Sequence, residues 1–108
     1  AEVRNINPDF ALIEKLHPAG VAITAPSREK DVDFVSRYFV PSYGIPEDPV
    51  TGSIHCSLTP YWAERLGKTH LHARQVSSRG GELRCELAGE RVILTGNAVL
   101  TLRGSLLL

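Results

Sequence analysis

Hydrophobic and polar positions along the chain predict short helical and extended elements before a strand-rich C-terminal part. The first helix is predicted in NPDFALIEKLH, where Asn7 can cap it, Pro8 suits its first position and apolar residues recur every three residues. GVAITAP then predicts a strand that a proline ends. The next run, VDFVSRYFV, places apolar side chains on both faces, which predicts a strand covered on both sides.

The second half of the pattern predicts a central helix followed by strands. Residues 53–66 have helical apolar spacing, and Gly67 stands where such a helix would stop. Pro60 predicts a kink there, or a second helix capped by Thr59. Four β runs with Gly-containing turns follow: THLHARQVSS, ELRCELAG, ERVILTG and NAVLTLRGSL. The order of elements predicts an α+β fold, in which an antiparallel sheet curls around the central helix.

Length, charge and cysteine content narrow the class of protein. With 108 residues and 43% hydrophobic content, we expect residues 1–108 to form one domain. Twelve basic and twelve acidic side chains cancel, so no summed charge favours nucleic acid or an anionic membrane. Two cysteines are too few for a disulfide framework, and no apolar run approaches the roughly 20 residues of a membrane span. We therefore expect a soluble, cytoplasmic protein.

The absence of methionine bears on what this chain is. No methionine occurs in the sequence, and the first residue is Ala1. Because a complete translation product needs an initiator, we expect that the chain was processed, trimmed or excised from something longer.

The stretch EDPVTGS, residues 47–53, allows two interpretations. As structure alone, Asp48 would cap the central helix, with a proline at the first helical position. As a site, Asp48 could donate or accept a proton. Small residues at Thr51, Gly52 and Ser53 would then expose backbone N–H groups and hydroxyls at a helix start, which attracts anions such as a carboxylate. The spacing alone leaves both interpretations open.

Other kinds of chemistry have weaker support in the sequence. The stretch lacks the G-x-S-x-G elbow of acyl-transfer enzymes and the Gly-Lys-Ser/Thr ending of a P-loop. Metal-ligand residue types are present, but no C-x-x-C or H-x-x-x-H spacing joins them, so we predict no metal site. These residues are His55, Cys56, His70, His72 and Cys85.

A second conspicuous stretch, QVSSRGG, covers residues 75–81. Its paired glycines predict a hairpin turn with positive φ angles. Three of its polar side chains, Gln75, Ser77 and Arg79, could also reach a bound anion or a partner domain. The two interpretations do not exclude each other.

The blocks G-I-P-E-D-P-V-T-G-S and Q-V-S-S-R-G-G closely resemble the C-terminal half of the PhzF-like family of phenazine-biosynthesis proteins, relatives of diaminopimelate epimerase. The resemblance implies two similar halves, each a sheet curled around a helix, with the active site in the cleft between them. It also implies isomerases that use no cofactor or metal and whose proton shuttle is a glutamate of the N-terminal half. Position by position, Asp48 and Ser53 match the family's site, and Gly52 with neighbouring amides would bind the acidic group of the substrate.

The resemblance also sets expectations about partners. The family's glutamate lies outside this chain, so a companion chain or the N-terminal half of the same protein would supply it. We expect residues 1–108 alone to be inert or nearly so toward a small carboxylic acid substrate. Asp48 stands where diaminopimelate epimerases carry a catalytic cysteine, which argues against a two-thiol mechanism. The alternative is a catalytically silent module of the same fold that holds a small anion or forms a dimer.

Overall fold

The computed structural model describes residues 2–108 and has an α+β architecture, with helices packed on a sheet of six strands. The helices are α1 (Glu2–Asn5), α2 (Phe10–Leu16) and α3 (Gly52–Leu66), and one 3-10 turn spans Pro41–Tyr43. The strands are β1 (Val21–Pro26), β2 (Phe34–Val40), β3 (Ile45–Asp48), β4 (His70–Gln75), β5 (Gly81–Ala88) and β6 (Arg91–Thr95).

The sheet is mixed, so the prediction of an antiparallel sheet is wrong at one pairing. The strand order is β1-β2-β4-β5-β6, and β3 is joined to β2 beside this path. Strands β2 and β4 run parallel, whereas the other pairs are antiparallel. The physical reason is the connection: helix α3 carries the chain back across the sheet, which allows β4 to enter in the direction of β2.

One edge of β2 is shared by two strands that approach from opposite ends. Strand β4 lies along residues 34–36 of β2, and β3 lies along residues 38–40. Gln75, the last residue of β4, is opposite Ser36, and Asp48, the last residue of β3, is opposite Tyr38. The ends of β3 and β4 therefore meet at the middle of β2.

Helix α3 covers one face of this sheet and provides three of the eight residues of the buried apolar cluster. Phe34 of β2 stacks against Trp62 of α3 with ring centroids 6.0 Å apart, and the Trp62 indole N–H donates to Thr24 Oγ1 at 2.9 Å. Burying each large apolar side chain contributes roughly 1.5–3 kcal/mol. The buried cluster comprises Phe34, Leu58, Trp62, Ala63, Leu71, Ala73, Leu83 and Cys85. On the other face of β2, Arg37 and Phe39 are also buried, which confirms a strand covered on both sides.

Two helix ends differ in how well the pattern predicted them. The predicted cap Asn7 is wrong: α2 begins at Phe10, and Asp9 caps it by accepting a hydrogen bond from the Leu12 N–H at 3.1 Å. The carboxylate of Asp9 reaches the third helical N–H, which fixes the start two residues later. The predicted stop at Gly67 is confirmed, with φ at 67° in the left-handed region.

Pro60 does not divide the central helix, so of the two alternatives predicted there, a kink or a second helix, the second helix is wrong. Helix α3 runs without interruption from Gly52 to Leu66. The hydroxyl of Thr59 donates to the carbonyl of His55 at 2.5 Å, so Thr59 bonds within the helix and does not cap a new one. Pro60 is exposed, and the bond its missing N–H removes can be replaced by water.

The fourth predicted C-terminal strand is not formed. Residues 96–108 contain no helix or strand, and β6 is the last strand along the chain. The alternating apolar residues of this segment do not pair with the edge strand β6, and they are exposed, Leu102 at 85%. None of the helices among residues 2–108 has the length together with the apolar character that crossing a membrane requires.

Candidate functional site

Asp48 ends strand β3 and does not cap helix α3, so the predicted cap role is wrong. The N-cap is Thr51, three residues later, with an extended backbone at φ −117° and ψ 105°. Asp48 is half-buried, and its Oδ2 atom accepts a hydrogen bond from the Thr51 hydroxyl at 2.5 Å. Pairing of Asp48 with Tyr38 in the sheet holds the residue in an extended conformation, which leaves the cap position to Thr51.

Thr51 is fixed at all three of its polar atoms. Its backbone N–H donates to Gln75 Oε1 at 2.8 Å, its hydroxyl donates to Asp48, and its carbonyl lies 2.6 Å from Nδ1 of His55. Only 8% of the residue is exposed. Because the hydroxyl is committed to Asp48, no side chain caps the first turn of α3.

The two conspicuous stretches of the sequence are joined by side-chain hydrogen bonds. Gln75 is fully buried, and its Nε2 atom donates to the Asp48 carbonyl at 2.9 Å and to Thr51 Oγ1 at 3.1 Å. The Ser77 hydroxyl donates to the Pro49 carbonyl at 2.8 Å. Gln75 and Ser77 thus hold the loop in place, whereas Ser78 and Arg79 of the same stretch are exposed.

The two glycines after Arg79 are required for different structural reasons. Gly80 has a φ of 72°, as predicted for the turn. Gly81 has no positive φ; instead, a Cβ atom there would lie 2.1 Å from Cγ2 of Val50. The second glycine is therefore required by close packing of the loop that contains Asp48, which the sequence did not indicate.

The first turn of α3 opens next to Asp48. Gly52 and Ser53 are exposed, and a Cβ built on Gly52 would meet only Leu94 Cδ1, at 3.9 Å. The N–H groups of the first helical turn have no intrahelical partner and carry the positive end of the helix dipole. Through its hydrogen bond to the N-cap Thr51, the carboxyl group of Asp48 lies beside the helix start that carries Gly52 and Ser53. Of the site residues predicted in the stretch 47–53, Thr51 is the one that is buried.

His55 lies under the loop with its ring fully buried. A carbonyl oxygen can only accept, so Nδ1 carries the proton in the bond to Thr51, and Nε2 is left without a hydrogen-bond partner among residues 2–108. Burial lowers the pKa of His55 from its usual value, because a charged ring would lose its hydration. The residue is therefore a neutral support of Thr51 rather than an exposed ligand.

The remaining metal-ligand residue types are dispersed. His70 pairs with Glu86 at 3.4 Å, and His72 pairs with Glu82 at 3.0 Å, both on the sheet. Cys85 lies in the core, where burial raises the pKa of its thiol, and Cys56 is exposed on α3. Within the described chain, no three His, Cys, Asp or Glu side chains come close enough to hold a metal ion.

A buried arginine that sequence reasoning missed connects the N-terminal segment to β3. Arg37 forms a two-pronged ion pair with Glu47, at 2.7 and 3.0 Å. Its Nη1 atom also donates to the carbonyl of Ile6 at 2.7 Å and to the carbonyls of Val3 and Arg4 at 3.3 Å. The hydrogen bond to Glu47 raises the pKa of Arg37 further. The sequence did contain a signal for this role: Arg37 is the charged residue in a strand of mainly apolar residues.

Comparison with known proteins agrees with the resemblance in the sequence. A family model described as "Phenazine biosynthesis-like protein" matches residues 1–104. An uncharacterized isomerase of Pseudomonas aeruginosa is 57% identical over 102 residues, which cover 94% of this chain and 38% of that protein. An uncharacterized isomerase of Halalkalibacterium halodurans is 47% identical over 106 residues, 98% of this chain and 40% of that protein.

Solved structures give the same result. A protein of Clostridium difficile described as a putative phenazine biosynthesis PhzC/PhzF protein superimposes with a TM-score of 0.84 at 47% identity, covering 99% of this chain and 41% of the other. A phenazine biosynthesis protein PhzF family structure from Enterococcus faecalis has a TM-score of 0.79 at 50% identity, over 85% and 35%. The chain spans about two fifths of the length of the relatives it matches.

Proposed function

Because the chain belongs to the family of phenazine biosynthesis-like proteins, we propose that it is part of an isomerase that transfers a proton on a small carboxylic acid. Relatives that carry the name isomerase support this reaction class. The chain would act as the C-terminal half of a two-half protein in the cytoplasm, with its sheet curled around α3 as in diaminopimelate epimerase. The reaction would need no cofactor and no metal.

The observation that carries the proposal is the position of Asp48 beside the open first turn of α3. Gly52 and Ser53 present N–H groups that no side chain caps, and such a helix start binds anions. A substrate carboxylate held there would lie next to the carboxyl group of Asp48, which can give or take a proton. Binding and proton transfer would thus use adjacent groups of one loop.

The other site residues have distinct proposed roles. The Ser53 hydroxyl is exposed on the first turn and would donate to the substrate or assist the proton transfer. The lack of a Cβ at Gly52 would let the substrate approach its N–H closely. Thr51 was predicted to contact substrate as well, but its polar atoms are engaged within the chain, so we assign it to holding Asp48.

A second proton-transfer group would come from outside this chain. An isomerase must remove a proton at one position and return one at another, and Asp48 would carry out only part of that cycle. The glutamate that the family resemblance implies for the N-terminal half would complete it. Residues 1–108 by themselves would then show little or no turnover.

Deuterium uptake tests the proposal directly. The two halves, expressed together, are incubated in D2O with a panel of small unsaturated carboxylic acids, and loss of ligand C–H signals is followed by proton NMR. Asp48→Asn is expected to reduce uptake by roughly a hundredfold or more. Asp9→Asn is the matched control, because Asp9 caps the exposed start of α2 and an asparagine caps equally well.

Ligand affinity separates the enzyme from a silent binding or dimerisation module. If the chain only holds an anion, Asp48→Asn leaves ligand affinity intact, and neither the parent protein nor the variant causes uptake. Undiminished uptake by Asp48→Asn would contradict the role of this residue. Full uptake by residues 1–108 without the other half would contradict the shared site.

A further inference from the structure

The side-chain amide of Gln75 has only one orientation that its neighbours accept. Oε1 accepts from the backbone N–H of Thr51 at 2.8 Å, and Nε2 donates to the carbonyl of Asp48 at 2.9 Å. A backbone N–H can only donate and a carbonyl can only accept. A flipped amide would therefore place its NH2 group against the Thr51 N–H and its oxygen against the Asp48 carbonyl. Gln75 is fully buried, so water cannot compensate for such a flip.

This orientation also fixes the direction of the next hydrogen bond. The second hydrogen of Gln75 Nε2 points to Thr51 Oγ1, 3.1 Å away. The Thr51 hydroxyl therefore accepts from Gln75, and its own proton is directed to Oδ2 of Asp48 at 2.5 Å. Consecutive hydrogen bonds in a low-dielectric environment polarise and strengthen one another.

The two carboxyl oxygens of Asp48 are consequently not equivalent. A proton on Oδ2 would face the hydroxyl proton of Thr51, which has no other acceptor to turn to among residues 2–108. Oδ1 accepts no hydrogen bond from any residue between 2 and 108. We infer that Gln75 is a positioning residue: through Thr51 it keeps Oδ2 as a permanent acceptor and leaves Oδ1 as the atom that exchanges a proton with the ligand.

This inference rests on the proposed function of Asp48. When Asp48 takes a proton from the ligand, the new O–H bond forms at Oδ1 and the electron pair of the broken bond stays on the ligand. The reverse step returns the proton from the same oxygen. Gln75 contacts no ligand in this scheme and acts only through the direction it imposes on Thr51.

Neutron diffraction from crystals of the intact protein grown in D2O tests the direction of the bonds without any ligand. Deuterium is expected on Thr51 Oγ1 along the line to Asp48 Oδ2, and the ND2 group of Gln75 is expected to face the Asp48 carbonyl. A Thr51 deuterium that points to Gln75, or a reversed Gln75 amide, would overturn the inference.

Kinetics of three variants test the consequence for proton exchange, using the carboxylic acid that shows the most deuterium uptake. Thr51→Val keeps the shape but removes the hydroxyl, and Gln75→Glu keeps the shape but replaces the NH2 group and its two N–H donors by a carboxyl oxygen. Each is expected to lower kcat by roughly ten- to a hundredfold with KM changed less than about threefold. Thr51→Ser keeps the donor and is expected to retain kcat within about threefold.

The outcomes separate this inference from the proposed function. If Asp48→Asn abolishes uptake while Thr51→Val and Gln75→Glu keep full kcat in folded protein, the positioning role is wrong and the proposed function stands. If Asp48→Asn leaves uptake unchanged, both are wrong. If Thr51→Ser loses as much kcat as Thr51→Val, the hydroxyl is not the relevant group and the inference is overturned.

Discussion

Gly52 and Gly81 lie on the two stretches that form the site, and their steric surroundings are opposite. A Cβ on Gly52 would have space, with its nearest neighbour 3.9 Å away, whereas a Cβ on Gly81 would overlap Val50 at 2.1 Å. Neither residue has a positive φ, so packing rather than backbone strain distinguishes them.

Gly81→Ala is therefore expected to destabilise the protein by roughly 1–3 kcal/mol through overpacking against Val50. Adding Val50→Ala should relieve the overlap and recover part of the loss, which a double-mutant cycle of urea unfolding would measure. Gly52→Ala is the matched control and should leave stability unchanged or raise it by up to about 1 kcal/mol, because alanine suits a helix better. Equal losses at both glycines would contradict this account.

His55 is expected to make stability depend on pH. Above pH 6.5, which is about the pKa of histidine in the unfolded chain, the ring is neutral in both states, so its full contribution to folding stability is present. As pH falls below that value, the unfolded chain binds a proton that the buried ring resists, because burial lowers the folded pKa. The free energy of unfolding should then fall by up to about 1.4 kcal/mol per pH unit until the folded pKa is reached.

The variant His55→Asn isolates this effect. The asparagine amide can still donate to the Thr51 carbonyl but does not titrate near neutral pH. Urea unfolding between pH 8 and pH 5 should show a smaller slope for the variant than for the parent protein. The same slope in both proteins would show that other groups cause the loss.

At the scale of elements, Arg37 joins three parts of the chain that are distant in sequence. It lies on β2 and pairs with Glu47 on β3. It also caps the C-terminal end of α1, because its guanidinium donates to the carbonyls of Val3, Arg4 and Ile6. The side chains of Arg37 and Glu47 are only 11% and 18% exposed. Solvent therefore screens this pair weakly.

Arg37→Lys is expected to cost about 3 kcal/mol of unfolding free energy, because an ammonium group cannot reproduce the two-pronged pair and the carbonyl contacts together. Arg74→Lys is the matched control: Arg74 pairs with Glu29 and Glu82 at the surface, where such pairs contribute up to about 1 kcal/mol. Thermal or urea unfolding measures both. A similar loss of unfolding free energy in the two variants would contradict the proposal that Arg37 contributes more to stability than a surface ion pair.

The elements that the sequence predicted well are those whose own residues determine them. Strands β1 and β2 and the stop of α3 at Gly67 follow from local pattern and turn chemistry. Strand β3, IPED, carries a proline and two acids, and it is extended because β2 offers it an edge. The parallel pairing of β2 with β4 likewise depends on contacts between distant residues, which no local pattern encodes.

The same distinction applies to the site. Asp48, Gly52 and Ser53 could be proposed from a seven-residue stretch, since small and acidic residues at a helix start are a local signal. Gln75 was interpreted as a residue that could reach a ligand, yet it is sealed inside the chain. Its role depends on the two strand ends that meet on β2, a contact across 27 positions of sequence.

At the scale of the whole molecule, the C-terminal segment exposes a row of apolar side chains. Val99, Leu100 and Leu102 are 86%, 70% and 85% exposed and lie beyond the last strand. Adjacent exposed apolar side chains are typical of surfaces that bind another protein. The proposed N-terminal half is a partner of suitable kind, because the relatives are more than twice as long as this chain.

Replacing Leu100 and Leu102 together by serine is expected to weaken association with the separately expressed N-terminal half by tenfold or more, given roughly 1.5 kcal/mol or more for each buried leucine. Stability of the chain itself should not change, since these side chains are exposed in it. Leu16→Ser on α2, where the leucine is 65% exposed, is the control. Titration calorimetry measures the affinities, and unchanged binding would exclude this segment from the interface.

The shared edge of β2 has a practical consequence for anyone who wishes to build this site into another protein. The loop around Asp48 cannot be grafted as a short peptide, because Gln75 and Gly81 shape it from a different hairpin. A host scaffold would need one strand whose edge pairs with two other strands, and the ends of those two strands would have to meet beside it. Selection or design would therefore have to treat the two stretches as a single heritable unit, although 21 residues separate them in the sequence.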